Sequence, residues 1–158
     1  MKISFSASLP ADARLIARLV DQDALPGDLD PLVAEGAKAS RFTGKSGSLF
    51  EAFVARGEAV VRLVLAGLGK ADDEDRQGAL EKAGAGLTAK YQTSGETALV
   101  VDFTGSNLDA DGAAAVLLGA RLRGWRHDAY RTTMKDDQKP SLAEVIAVGA
   151  PDGTDAAW

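Results

Sequence analysis

Residues 60–70, Val-Val-Arg-Leu-Val-Leu-Ala-Gly-Leu-Gly-Lys, constrain the fold of this chain more than any other stretch. β-Branched and aliphatic side chains follow one another almost without a break, and glycines close the run. A near-continuous apolar run bounded by glycine predicts a strand buried on both faces of an α/β sheet. Directly behind it, Asp72-Asp73-Glu74-Asp75 predicts a helix with acids in its first turn, where they complement the helix dipole. Sheets of this class gather ligands or partner surfaces at the carboxyl ends of their strands. The Gly67-Leu68-Gly69-Lys70 turn is therefore the first place to look for a site.

The rest of the chain supplies partners for that strand. Ile3, Phe5, Ala7 and Leu9 alternate with serines, the period-2 signature of a strand with one buried face. Residues 14–21 alternate again and predict a second strand, with a helix as the other reading. Asp30-Pro31 has the form of an N-cap followed by proline at the first helical position. It predicts a helix to about Arg41 whose inner face carries Leu29, Leu32, Val33, Gly36, Ala37 and Ser40. Residues 48–54 and 58–68 form a predicted hairpin turning at Ala55-Arg56-Gly57. A helix over 72–91 would bury Leu80, Ala83, Leu87 and Tyr91, with Gly84 allowing close approach to the sheet. Strands are predicted over 97–103 and 142–148. Between them, residues 109–123 form an alanine-rich helix that is apolar nearly all round, so it is expected to be covered on more than one side, either by this domain or by a partner. Residues 125–134 are polar and aromatic, residues 135–140 form a charged loop, and the tail from Gly149 to Trp158 shows no core pattern. The order ββαββαβαβ predicts a single α/β domain, a mixed central sheet with helices on both faces in three α/β/α layers.

Charge and composition exclude several functions. A net charge of −5 with a pI of about 4.9, and no Lys/Arg cluster, argues against a nucleic-acid surface. Without cysteine there is no disulfide, thiolate metal site or Cys nucleophile. The first 20 residues have no unbroken apolar core of a signal peptide, and no segment approaches the ~18 apolar residues of a transmembrane helix. These features give the expectation of a soluble, cytoplasmic domain with no membrane partner.

Each short motif also has a structural reading. Gly44-Lys45-Ser46 resembles the end of a phosphate-binding loop, but Ala39 stands where the first glycine belongs and a helix precedes it, so a polar turn is expected. Residues 67–70 could hold an anion at a helix N-terminus, yet four carboxylates follow immediately. Asp109 and Asp111 in Asn107-Leu108-Asp109-Ala110-Asp111-Gly112 read as cap and dipole partners, since a calcium loop's alternating ligands and distal Glu are missing. His127 is the sole histidine, which excludes a multi-histidine zinc site, and no G-x-S-x-G elbow accompanies it. We expect it on the surface. No catalytic, cofactor-binding or metal-ligating residue is assigned in this chain.

Several stretches together resemble the N-terminal domain of the leucyl aminopeptidases, the cytosol aminopeptidase family. Phe42-x-Gly44-Lys45-x-Gly47 is similar to that domain's F-x-G-K-x-G turn. Leu63-Val64-Leu65-Ala66-Gly67-Leu68-Gly69-Lys70 resembles the strand and V-G-L-G-K turn before its acidic helix. Ala-Ala-Val-Leu-Leu-Gly at 114–119, then Asp128 and Tyr130-Arg131-Thr132, resemble its E-G-x-x-L-G helix and D-x-Y-K-T segment. Alanine replaces the acid at 113 or 114, and Arg131 replaces a lysine.

The resemblance implies a macro-domain-like fold over 1–150, with 151–158 beginning a linker to a C-terminal peptidase domain that this sequence does not contain. It implies a non-catalytic assembly or regulatory domain whose parent removes N-terminal amino acids from peptides and assembles as a hexamer. Two divalent metals, Zn or Mn, would lie in that other domain with its N-T-D-A-E-G-R signature, so no metal residue carries over to this chain. The alternative is a free-standing macro-like module binding a nucleotide or ADP-ribose through the loops at 67–70 and 105–107.

Overall fold

The computed structural model describes residues 1–128, the last four as helix backbone only, and residues 140–158. The Tyr130-Arg131-Thr132 segment and the charged loop before Pro140 lie outside the described residues, as do the side chains of Trp125 and His127. Six strands form one sheet: β1 (Lys2–Ser6), β2 (Leu15–Asp21), β3 (Leu49–Arg56), β4 (Ala59–Gly69), β5 (Ala98–Asp102) and β6 (Glu144–Val148). Their spatial order is β1-β6-β5-β2-β4-β3. Every neighbouring pair is parallel except the β3–β4 hairpin. Four helices are found among the described residues: α1 (Pro31–Ala39), α2 (Arg76–Tyr91), α3 (Ala110–Asp128) and α4 (Thr154–Ala157).

The sheet is covered as its period-2 alternation requires. Leu15, Ala17 and Leu19 of β2, with Val64, Ala66 and Leu68 of β4, bury against Leu80, Ala83 and Leu87 of α2 and Val116 and Leu117 of α3. The alternate residues Val20 and Leu65 face the opposite way and bury Val33 and Ala37 of α1. Elsewhere on that second face, Leu9 and Ala13 of the β1–β2 connection pack on Ile16, Val100 and Val148. Helices therefore lie on both faces of a mixed sheet, in three layers. The residue-by-residue pattern that predicts each strand also sorts its side chains between the two cores.

Local departures from the sequence reading have simple causes. The β4 strand is enclosed only from Val64 onward, apart from Val61, and Val60 near the hairpin end is 66% exposed because no helix reaches it. Proline at N1 and the Leu32 N–H donating to Asp30 Oδ1 at 2.9 Å start α1 as expected. However, Leu32 is 84% exposed, so the helix buries a narrower stripe of Val33 and Ala37. α2 begins at Arg76 rather than Asp72, leaving no acid in its first turn. Asp75 instead caps it, accepting from the Gly78 N–H at 3.2 Å, while residues 72–74 form the preceding turn. Gly84 serves a helix and not the sheet, since a Cβ built there would stand 1.9 Å from Val116 O of α3. The tail has a pattern after all: Thr154 is buried, its hydroxyl donates to Pro151 O at 2.6 Å, and Trp158 packs against the main core.

Candidate functional site

The parallel strands end together, and their carboxyl edge is where a ligand of such a sheet would sit. Much of that edge is filled by the chain itself. The turn Gly44-Lys45-Ser46-Gly47 folds over the end of β4, where the Gly67 N–H donates to Ser48 O at 2.8 Å and the Gly69 N–H to Gly44 O at 2.9 Å. A Cβ on Gly67 would stand 2.1 Å from Lys45 O, so only glycine admits the loop at this depth. The two glycine motifs, distant in sequence, are the two halves of one contact. The phosphate-loop likeness at 44–46 thus resolves into a turn packed on a strand. At 67–70 the backbone that would meet an anion already bonds to protein.

Beside this contact Arg76 closes the end of β4. Its Nη1 donates to Leu68 O at 3.0 Å and lies 3.4 Å from Lys70 O, while Nη2 pairs with the Asp21 carboxylate at the end of β2. A guanidinium offers several donors in a fixed fork, so one side chain satisfies carbonyls of β4 and a carboxylate of β2 at once. Arg76 carries no sequence motif; it stands out only as the first cation after an acidic run. At the end of β5, the Thr104 N–H donates to Asp102 Oδ1 at 2.9 Å, and Gly105 lies against Arg18. Arg18 Nη1 pairs with Asp28 at 3.0 Å and, by donating that hydrogen bond, holds the Asp28 carboxyl below its ordinary range. The Ser106 hydroxyl is buried without a hydrogen-bond partner among the described residues. The loop at 105–107 therefore brings a guanidinium and a hydroxyl close to the end of β5.

The acids of residues 107–112 act as the cap reading predicts, with the Gly112 N–H donating to Asp109 Oδ1 at 2.8 Å. Among the described residues no group of three or more His, Cys, Asp or Glu side chains gathers as a metal centre would require. The described residues do not fit a metal pair.

A different kind of site lies on α3. Its inner side buries Ala113, Val116, Leu117 and Ala120, but Leu118 and Leu122 point outward, 39% and 56% exposed. This domain thus covers the helix on one side and leaves the other open. Trp158 lies beside these leucines, with the Arg121 guanidinium 5.6 Å from its ring centre. The four side chains line a shallow depression of about 440 Å³. The i, i+4 spacing of Leu118 and Leu122 was readable in the sequence. Their convergence with the final tryptophan was not.

The sequence profile of the cytosol aminopeptidase family's N-terminal domain matches residues 13–134. The chain belongs to the cytosol aminopeptidase family. Its place there is the N-terminal domain. A probable cytosol aminopeptidase of Rhizobium etli is 33% identical over 162 residues, covering 98% of this chain but 32% of that protein. Another from Methylorubrum extorquens is 35% identical over 126 residues, 80% of this chain and 25% of the relative. The chain therefore spans about a third or less of the length of the relatives it matches. Among solved structures, a tomato leucine aminopeptidase mutant shares the fold at a TM-score of 0.68 and 16% identity, covering 99% of this chain and 34% of that one. The bottromycin maturation enzyme BotP, solved with Mn, aligns at 0.63 and 26% identity over 92% of this chain and 28% of that one. No helix among the described residues is long and apolar enough to cross a membrane.

Proposed function

We propose that this chain is the non-catalytic N-terminal domain of a longer leucyl-aminopeptidase-type enzyme, serving its assembly or regulation. The observation that carries this reading is the coverage of the relatives. Proteins named as cytosol aminopeptidases match this chain nearly end to end, yet two thirds of their length lies outside the match. The parent would remove N-terminal amino acids from peptides in the cytoplasm, as a hexamer. Its paired divalent metals, Zn or Mn, would be held by the catalytic part, polarising the scissile carbonyl and supplying an activated water. The domain proper would occupy 1–150, with 151–158 leading toward that catalytic part. Support for a non-catalytic role comes from the carboxyl edge, where glycine turns and Arg76 fill the end of β4 with the protein's own bonds.

Two measurements test the reading. The intact mass of the protein in its native source, detected with an antibody to this chain, should be far above 16.4 kDa. A native species ending near that mass would overturn the two-domain assignment. The purified 158-residue chain should release no amino acid from leucyl-anilide substrates with Mn or Zn added. Turnover that co-purifies with the chain would show that it is catalytic.

A further inference from the structure

We infer that the outward face of α3, Leu118 and Leu122 with Trp158, is the surface on which the catalytic part of the parent enzyme docks; this rests on the two-domain reading above. Leu32, far from this face on α1, is exposed singly, which is ordinary for a soluble surface. Leu118, Leu122 and Trp158 instead converge around one depression, lined also by the exposed cation Arg121. Arg121 forms no ion pair with a described residue and lies over the Trp158 ring. The surface fits an aliphatic or aromatic side chain flanked by carboxylates.

Size selects the occupant. Three partly exposed apolar side chains offer on the order of a few hundred Å² or less, against the ~800 Å² per partner that a stable complex of separate molecules buries. A free partner, including a second copy of this chain, would be held weakly. A covalently attached domain needs far less surface, because a short linker keeps it at an effective concentration of about millimolar. Residues 13–134 match the family's N-terminal domain and about two thirds of the relatives' length lies outside the match, so a two-domain parent has a further part available to cover this face.

Hydroxyl-radical footprinting of the 158-residue chain and of the full-length protein tests this. Oxidation of Leu118, Leu122 and Trp158 is expected to fall at least threefold in the full-length protein, while Leu32 stays equally reactive in both. In the full-length protein, Leu122→Asp should speed protease nicking between the domains about threefold, and Leu32→Asp should not. Unchanged footprints in a full-length aminopeptidase would overturn the docking face and leave the two-domain reading intact. A native protein no larger than this chain would overturn both. Concentration-dependent dimers of the isolated chain that Leu122→Asp abolishes would assign the patch to a second copy instead.

Discussion

The two sides of α3 follow opposite rules. On the inner side, α2 and α3 approach so closely that backbone touches backbone: a Cβ on Gly84 would stand 1.9 Å from Val116 O, and one on Gly119 would stand 1.9 Å from Glu81 O. Thr88, fully buried in that seam, donates its hydroxyl to Ala120 O at 2.9 Å. On the outer side the same helix presents Leu118 and Leu122 to solvent, with room around them. Gly84 and Gly119 mark the seam already closed within the domain, where Val116 and Leu117 are also buried, while Leu118 and Leu122 mark the surface still open. Apolar character alone does not separate the two; position around the helix does.

Breaking the seam should have the largest effect. Gly119→Ala or Gly84→Ala must force the helices apart against backbone, and each should cost about 3 kcal/mol or more in urea unfolding. The double variant should lose less than the sum, because the first methyl opens the seam for the second; strict additivity would mean the two glycines act separately. Thr88→Val keeps the shape and removes the hydroxyl, and should cost about 1 kcal/mol by the same assay.

At the carboxyl end of α2, the Tyr91 hydroxyl donates to Glu51 Oε2 at 2.5 Å. Burial, then the hydrogen bond to Glu51 and its charge, push the Tyr91 hydroxyl well above its ordinary value near 10. The folded state therefore holds this proton where the unfolded chain releases it. Stability linked to Tyr91 is complete below about pH 10 and declines as pH rises from there toward the raised folded value. Tyr91→Phe should cost about 1 kcal/mol at pH 7. The gap between the two proteins should narrow above about pH 10, and a gap independent of pH would sink the assignment. The outer side closes the series: Leu122→Lys should change the isolated chain's stability by less than about 0.5 kcal/mol. A loss comparable to the seam variants would erase the distinction between the two sides.

Much of the architecture was legible because period and punctuation agree locally. Alternation in β2, the Asp30-Pro31 start of α1 and the glycine-closed run of β4 each predict their element, although α1 buries only Val33 and Ala37 of the face expected for it. Three things were not legible, for one reason: they depend on contacts between segments far apart in sequence. Gly84 reads as a helix–sheet contact until α3 is placed beside α2. Residues 72–75 read as a first turn until Arg76 is drawn to Asp21 and the β4 carbonyls, which fixes where the helix begins. The tail reads as patternless because Trp158 finds its neighbours on α3 and not beside itself.

The outermost parallel pair has a consequence for how the protein is made. β1 has β6 as its neighbour in the sheet, with Lys2 opposite Glu144, so β1 leaves the ribosome well before the strand it pairs with. At ordinary elongation rates of roughly 5–20 residues per second, that interval is on the order of ten seconds. During that time β2, β3 and β4 can already pair, while β1 remains an unpaired strand that holdase chaperones or stray sheet edges can reach. A nascent chain halted before β6 should carry this exposed first strand for as long as it is halted.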